Sequence, residues 1–272
     1  MKSQKSNKTL LMGVLNVTPD SFSDGGSFFD KDKAVERALM MEKEGADIID
    51  VGGESTRPGA KPVSEAEELG RVVPVIERIR KVSSVAISVD TRNASVAETA
   101  IKAGAGLIND VSGLRKDRDM AGVAARYGCR LILMHMKGEP ENMQDDPRYA
   151  DVIEEILESL KVSIAIAVNA GVIKENLVID PGIGFGKTVE HNLEILRRLD
   201  EFLVLGLPIC VGTSRKSFIG NILGVDDAKN RLMGTIATCV IAVANGARIL
   251  RVHDVKEVKE AVVITDRVLG RG

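Results

Sequence analysis

Short apolar segments alternate with longer amphipathic segments along most of the chain. The apolar segments are typical of buried strands, and eight are predicted, at residues 10–15, 48–51, 85–89, 107–108, 131–134, 177–179, 208–211 and 249–252. Between them, apolar residues recur at helical spacing and predict helices at residues 33–44, 65–81, 94–103, 119–127, 149–170, 191–199, 228–245 and 255–268. Strict alternation of strands and helices indicates parallel strands joined by crossover helices.

Local signals mark the ends of several of these helices. Ser64 followed by Glu67 predicts a capping box at the start of the second helix, and Pro74 predicts that this helix is kinked or split. Glycines are predicted to close four helices just before the next strand, at Gly45, Gly104, Gly171 and Gly246.

Eight strand–helix units in about 250 residues predict an α/β fold, a (β/α)8 TIM barrel forming a single domain over residues 1–272. The active site of such a barrel lies at the carboxyl ends of the strands. A doubly wound open sheet is the alternative. It is disfavoured because the turn after the first strand, Asn16-Val17-Thr18-Pro19, has no glycine fingerprint for a dinucleotide.

Composition narrows the class of protein. The 272 residues are 44% hydrophobic and 28% charged with a formal net charge of −2, which disfavours nucleic-acid and membrane partners because those need a basic excess. Three widely spaced cysteines without a C-x-x-C pair indicate reduced core thiols and a cytoplasmic protein. The basic segment 1–8 and the apolar segment 10–15 do not form a secretory leader, since Asn16 interrupts a short apolar run.

Polar residues follow every predicted strand. They are Asn16, Glu54, Ser55, Thr56, Arg57, Asp90, Asn109, Asp110, His135, Asp180, Ser214, Arg215, Lys216, Arg251 and His253. An aspartate in such a place is often only a helix cap. In a barrel, however, all these ends face one way, so the whole set predicts an active site at that rim.

Cationic residues on separate loops indicate an anion site. Arg57, Arg215, Lys216, Arg251 and His253 would together bind a multiply charged anion such as phosphate or diphosphate, although each could instead be a solvated surface charge. Arg251 and His253 alternate along one strand and therefore leave the same side of the sheet.

The segment 180–188, DPGIGFGKT, nearly matches a phosphate-binding P-loop. Pro181 stands where that motif needs its first glycine, and proline also lacks the N–H that a phosphate cradle uses. The segment is interpreted instead as a turn that lets backbone approach a planar ligand.

Asp90, Asn109 and Asp180 offer two carboxylates and an amide at the ends of nearby strands. This set matches the alternating donors and acceptors of a flat heterocycle. Metal ligation by the two aspartates is the alternative, and the lack of clustered histidines or cysteines weakens it. No nucleophilic triad or G-x-S-x-G elbow occurs, so the chemistry is predicted to depend on positioning and electrostatics.

Seven segments together resemble the dihydropteroate synthase family. They are GVLNVTPDSFSDGG (13–26), GADIIDVGGESTRPGA (45–60), SVDT (88–91), IND (108–110), IDPGIGFGKT (179–188), GTSRKSFIG (212–220) and RVHDV (251–255). The resemblance implies a folate-biosynthesis transferase that joins 4-aminobenzoate to (7,8-dihydropterin-6-yl)methyl diphosphate, with Mg2+ as cofactor and a homodimer as the assembly. The expected partners are therefore these small-molecule substrates.

The resemblance also implies roles for individual residues. The pterin would be held by Asp90, Asn109, Asp180 and Lys216, with Met134 and Phe185 near its faces. The diphosphate would be held by Thr56, Arg57, Arg251 and His253, and Mg2+ would contact Asn16. Ser217 would bind the aminobenzoate carboxylate at a helix N-terminus. The implied catalytic set is Phe22, Asp24, Arg57 and Lys216.

Phe22 and Asp24 lie in a polar loop that, in the family, orders with the loop carrying Thr56 and Arg57 once the pterin diphosphate has bound. Phe22 would then be an apolar wall for the aminobenzoate ring, and Asp24 would stabilise a cationic pterin-methyl intermediate. Phe22 could instead be a loop residue packed on a neighbour. A corrinoid-type pterin methyltransferase and a non-catalytic pterin-binding protein remain alternative functions.

Overall fold

Eight parallel strands close into a barrel in the computed structural model, which describes residues 8–18, 27–55, 59–60 and 63–271. The strands pair in chain order, and the last pairs with the first. They are β1 Leu10–Asn16, β2 Ile48–Gly52, β3 Ala86–Asp90, β4 Leu107–Asp110, β5 Arg130–Met134, β6 Leu177–Asp180, β7 Ile209–Val211 and β8 Ala247–Val252. The predicted TIM barrel and all eight predicted strands are therefore confirmed.

Helices follow the strands and cover the outside of the barrel. The α-helices are α1 Ser27–Glu44, α2 Glu65–Val82, α3 Ala94–Lys102, α4 Asp119–Tyr127, α5 Val152–Asn169, α6 Val189–Arg197, α7 Ser217–Leu223, α8 Leu232–Ala244 and α9 Val255–Val268. Short 3-10 helices span Lys174–Asn176, Leu199–Leu205 and Ala228–Arg231. None of the helices in the described ranges is long and apolar enough to cross a membrane.

The helices differ from the sequence predictions in several details. The seven-residue α7 was not predicted, because so short a segment shows too few turns to reveal a period. The helix α1 begins at Ser27, earlier than predicted, and the helix predicted at 228–245 begins with a 3-10 turn and becomes α-helical only at Leu232. The helix α2 is not split at Pro74, and the alternative, a kink, stays a prediction.

The predicted helix ends agree more closely with the structure. Ser64 caps α2 by accepting a hydrogen bond from the backbone N–H of Glu67, while the Glu67 carboxylate binds Arg71 and makes no reciprocal bond to the cap. Four glycines after helices adopt positive φ, as C-terminal caps require: Gly45 at 104°, Gly104 at 119°, Gly171 at 96° and Gly246 at 106°.

The barrel interior consists of two layers of different character. Apolar side chains at the amino-terminal part of the strands form one buried cluster: Met12, Ile48, Leu107, Ile132, Val178, Cys210 and Ile249. Side chains on a strand alternate between its two faces, so the next inward residues lie two positions further along. In that upper layer the inward positions include Asp50, Asn109, Asp180 and Arg251. Polar groups therefore begin just below the mouth of the barrel.

Candidate active site

The mouth of the barrel holds a cavity of about 480 Å³. Its lining comes from the loops after β1, β2, β3, β5, β6, β7 and β8 and from their strand ends. The predicted residues in this lining are Asn16, Glu54, Ser55, Asp90, Phe185, Ser214, Arg215, Lys216, Ser217, Arg251 and His253. Eleven predicted residues therefore meet in one cavity, whereas Asn109, Met134 and Asp180 are not among its lining residues.

Asp90, Asn109 and Asp180 lie in the polar upper layer of the barrel, and Asp90 is the one of the three that lines the cavity. They end β3, β4 and β6 or lie next to their ends, and their residues are 6%, 3% and 5% exposed. Asp180 accepts a hydrogen bond at Oδ1 from the backbone N–H of Gly182, at 2.7 Å. Two carboxylates and an amide are thus fixed on separate strands, where they can hydrogen-bond the edge of a flat ligand.

Arg251 is held in place by two buried carboxylates. Its Nε donates to Asp50 Oδ2 and its Nη2 to Asp90 Oδ2, each at 2.6 Å, and its side chain is 20% exposed. The Asn109 amide also donates to Asp50 Oδ2, at 3.0 Å. Asp50 therefore holds both the Asn109 amide and the Arg251 guanidinium, of which Arg251 lines the cavity, although sequence reasoning had not singled Asp50 out.

The sequence around Asp50 could have identified this residue as a candidate for the site. It is a single acid within the apolar strand β2 and is fully buried, and a buried charge needs paired hydrogen-bonding partners. The sequence analysis considered only the residues at strand ends, and so it passed over a polar residue two positions deeper.

Burial shifts the protonation of these groups. It raises the pKa of Asp180, opposed by the nearby charges of Lys216 and Arg251, and it raises the pKa of Asp90, opposed by Arg251. Burial alone would lower the pKa of Arg251, but Asp50 and Asp90 raise it, so the guanidinium stays charged. The floor of the cavity thus combines fixed positive charge with carboxylates that are protonated more readily than in water.

Lys216 and Phe185 form one wall of the cavity. Burial lowers the pKa of Lys216 to about 8, opposed by Asp180. Its ammonium lies 4.6 Å from the centre of the Phe185 ring, a cation–π distance. The ring belongs to an apolar cluster with Val111, Met134, Met136 and Met143. Met134 and Phe185, which the resemblance implies lie near the faces of the pterin, both belong to this cluster. Met143, which lines the cavity, had been missed.

Several rim residues hold loops in place. Asp110 accepts hydrogen bonds from the backbone N–H groups of Ser112 and Leu114 and from the Ser112 hydroxyl, so it fixes the loop after β4. Glu54 forms an ion pair with Arg92 in which both side chains are buried. Arg215 is paired with Asp254. This ion pair anchors the Arg215 guanidinium at the cavity lining, and its anion-binding role stays a prediction.

His253 and Ser217 reach the cavity from its other side. The Ser214 hydroxyl is 3.0 Å from His253 Nδ1 and accepts a bond from its backbone N–H at 3.2 Å, so the strand end and the loop after β7 are joined. Ser217 is the exposed first residue of α7 and lines the cavity. Phe22, Asp24, Thr56 and Arg57, also predicted to act here, lie outside the described residues.

A second cavity, also of about 480 Å³, lies at the opposite end of the barrel. The Arg80 guanidinium in its lining is bound to the backbone carbonyls of Ser83, Val85 and Gly104, at 2.8–3.2 Å. Arg80 thus has a structural role, and the lining also holds one carboxylate, Asp47, and one amide, Asn176.

Metal binding would have to depend on few protein ligands. Within the described ranges, no group of three or more histidine, cysteine, aspartate or glutamate side chains could hold a metal ion. Asn16 supplies one amide oxygen at the cavity wall. Mg2+ commonly takes few protein ligands and keeps waters and substrate phosphate oxygens, so this donor set fits an ion that arrives with a phosphorylated substrate.

Comparison with known proteins agrees with this geometry. Residues 12–253 match the model of a family described as pterin binding enzyme. A dihydropteroate synthase of Clostridium beijerinckii is 51% identical over 265 residues, which cover 97% of this chain and 96% of the relative.

Solved structures agree as well. A dihydropteroate synthase from Clostridium difficile, determined in the presence of pteroic acid, superposes with a TM-score of 0.92 at 50% identity, covering 97% of this chain and 98% of the other. A Xanthomonas albilineans dihydropteroate synthase with 4-aminobenzoic acid gives a TM-score of 0.91 at 42% identity, covering 97% and 94%.

Proposed function

This chain belongs to the family of pterin-binding enzymes and, within it, to the dihydropteroate synthases, and we propose that its barrel mouth is where the two substrates are joined. It is a transferase of folate biosynthesis that condenses 4-aminobenzoate with (7,8-dihydropterin-6-yl)methyl diphosphate, releasing diphosphate. The observation that carries the assignment of the site is the polar upper layer of the barrel. There Asp90, Arg251 and Lys216 line one cavity, and Asn109 and Asp180 lie at or next to the carboxyl ends of β4 and β6.

The pterin ring would lie at the floor of the mouth. Asp180 would accept hydrogen bonds from the amino-pyrimidine edge of the ring, while Asn109 offers both a donor and an acceptor. Phe185 and Met134 would pack against the ring faces. Lys216 would donate to a ring acceptor from the wall where its ammonium already lies.

The diphosphate would lie toward Arg251 and His253, with Thr56 and Arg57 contributing from the loop after β2. The Arg251 guanidinium is anchored at its Nε and Nη2, so it can bind an anion with little loss of side-chain freedom. Asn16 would hold Mg2+ together with diphosphate oxygens. The chemistry that this ion supplies is neutralisation of charge on the leaving group.

Bond breaking would be driven by electrostatics at the leaving group. The C–O bond between the pterin methylene and the diphosphate breaks, its electrons leave with the diphosphate, and the electron-rich pterin carries the resulting positive charge. The amino group of aminobenzoate then forms the C–N bond and loses a proton. Arg251 and His253 would stabilise the departing anion, and Asp24 would stabilise the cation.

Aminobenzoate would enter last, above the pterin. Ser217 lies at the cavity edge, where its hydroxyl can donate to the aminobenzoate carboxylate. Phe22 would pack against the aromatic ring. Both Phe22 and Asp24 would act from the loop after β1, which explains why a polar loop carries one of the few aromatic residues of the chain.

Release of diphosphate tests the function directly. Mixing the pterin diphosphate, 4-aminobenzoate and Mg2+ with the protein is expected to release diphosphate and form dihydropteroate in equal amounts. A pterin methyltransferase would instead transfer a methyl group from a methylated folate, and a non-catalytic pterin-binding protein would release nothing. Either of those results contradicts the proposal.

The pH profile tests the role of Lys216. Because burial lowers its pKa to about 8, the ammonium is present below that pH and is lost above it. The value of kcat/KM for the pterin diphosphate is therefore expected to fall as pH rises through about 8, since this ratio reports groups of the free enzyme. In Lys216→Arg the guanidinium stays charged, and this alkaline limb is expected to move upward. An unmoved limb would exclude Lys216 as its origin.

The assembly and compartment remain proposals. Of the apolar residues on α8 and α9, Val243 and Val258 are fully buried. Exposed apolar residues do lie on α8 and α9: Met233, Ile241, Val263, Ile264 and Val268. Light scattering would test a homodimer through this surface. Three buried free thiols support a reducing, cytoplasmic location.

A further inference from the structure

The glycine-rich turn after β6 has an unusual hydrogen-bonding pattern. Four successive backbone carbonyls, of residues 183–186, each accept from a side chain of a different residue. Their donors are Lys216 Nζ to Ile183, Gln144 Nε2 to Gly184, Lys187 Nζ to Phe185 and Tyr149 Oη to Gly186. Gly182, Gly184 and Gly186 all have positive φ, so the turn backbone has few steric limits of its own. Its shape is therefore set by these donors.

Lys187 differs from the other donors because its whole side chain is buried. The residue is 3% exposed, and its Nζ lies 3.0 Å from both the Phe185 carbonyl and His135 Nδ1. An ammonium is costly to bury unless it is hydrogen-bonded, and here both contacts join the loop after β5 to the turn after β6. The motif that resembles a P-loop thus uses its lysine inside the protein, and the proposed function gives that lysine no task.

His135 is neutral in this arrangement, because burial, together with the charge of Lys187, lowers its pKa to about 2. In the tautomer that carries its proton on Nε2, the Nδ1 lone pair accepts from the lysine N–H. The backbones of the two loops also pack closely, since a Cβ on Gly182 would lie 1.8 Å from the His135 carbonyl oxygen.

We propose that Lys187 is a positioning residue for the pterin site, which it serves by fixing the Phe185 backbone and thereby the ring against which the pterin packs. The inference rests on the proposed pterin site. Lys187 binds the Phe185 backbone carbonyl from inside the protein, while the Lys216 ammonium lies over the Phe185 ring. A shift of Phe185 would displace both the apolar face and the nearby ammonium.

The test compares Lys187→Met with a matched control at the far end of the barrel. Lys187→Met keeps an unbranched chain but removes the donor, and we expect KM for the pterin diphosphate to rise about tenfold while KM for aminobenzoate stays unchanged. Thr9→Val removes a buried hydroxyl bound to Asp266 at 2.8 Å, and it is expected to lower Tm without changing either KM. If Lys187→Met also lowers only Tm, the proposal is overturned.

A double-mutant cycle with Phe185→Leu shows whether Lys187 acts through that ring. We expect the double variant to bind pterin diphosphate no more weakly than Phe185→Leu alone, whereas additive losses would contradict the proposal. If Lys187→Met does not fold, His135→Leu decides in the same way by its effect on the two KM values. Failure of the proposed function would be distinct, since the unaltered protein would then form no dihydropteroate.

Discussion

Replacing Arg251 by glutamine is expected to lower kcat/KM for the pterin diphosphate by about a thousandfold, because it removes the anchored cation that would stabilise the leaving diphosphate. Most of the loss is expected in kcat, since the charge on the diphosphate grows as the C–O bond breaks. Steady-state rates of diphosphate release at saturating aminobenzoate measure the effect. A loss of less than about threefold would remove Arg251 from the diphosphate site.

The same substitution is expected to destabilise the protein by about 3 kcal/mol, because it leaves buried carboxylates without their charged partner. The sign of its pH dependence follows from Asp90. Burial raises the pKa of Asp90 above its unfolded value, and Arg251 is the main influence that opposes this rise. Without Arg251 the folded state takes up a proton more readily, so stability is expected to fall as pH increases from 5 toward 8 and to recover on acidification. Urea unfolding at the two pH values measures this.

Arg198→Gln is the matched control. Arg198 also binds several carboxylates, those of Asp151, Glu194 and Glu201, but on the outer surface of the barrel. The same change there is expected to cost about 1 kcal/mol or less and to leave kcat/KM unchanged. If both variants lose activity equally, the effect of Arg251→Gln comes from general loss of structure.

The fold could be predicted because its signals are local and repeated. Each strand shows an apolar run and each long helix shows an apolar stripe, so the eightfold alternation survives errors at individual ends. The seven-residue α7 was missed for lack of length. Pro74 does not split α2, although proline is unfavourable inside a helix, and the helix continues through it with Val72, Val75 and Ile76 fully buried on either side.

The site was predictable at the strand ends and less so below them. The rule for parallel barrels locates Asp90 and Asp180 at one mouth without any knowledge of contacts. The contact between Arg251 and Asp50 depends on which residues of β8, β1 and β2 lie side by side, and one sequence does not state that register. The sequence motif around Lys187 also does not show that this side chain is buried, because its partner His135 lies 52 positions earlier in the chain.

The second large effect is expected for Asp180→Asn, with kcat/KM for the pterin diphosphate reduced by about a thousandfold. The asparagine oxygen can still accept from the Gly182 N–H, so its amide nitrogen would face the ligand. The N–H groups of the asparagine amide would then face the N–H groups at the amino-pyrimidine edge of the pterin, and no hydrogen bond could form between them. Stability is expected to stay equal or rise, since burial raises the pKa of Asp180 and the neutral side chain avoids the cost of a buried charge. Calorimetric titration with the pterin substrate and thermal unfolding measure the two effects.

Asp110→Asn makes the comparison decisive, because Asp110 is also a buried acid at a strand end but both of its oxygens are already occupied. Oδ1 accepts from Ser112 and Oδ2 from the Leu114 N–H at 2.7 Å, so an amide nitrogen must face a backbone donor in either orientation. This variant is expected to lose stability, about 2 kcal/mol, while its folded fraction still binds the pterin. Weaker pterin binding in Asp180→Asn and lower stability in Asp110→Asn would show that Asp180 recognises the ligand, whereas Asp110 supports a loop. If Asp180→Asn instead behaves like Asp110→Asn, the Asp180 carboxylate serves the turn after β6 and not the ligand.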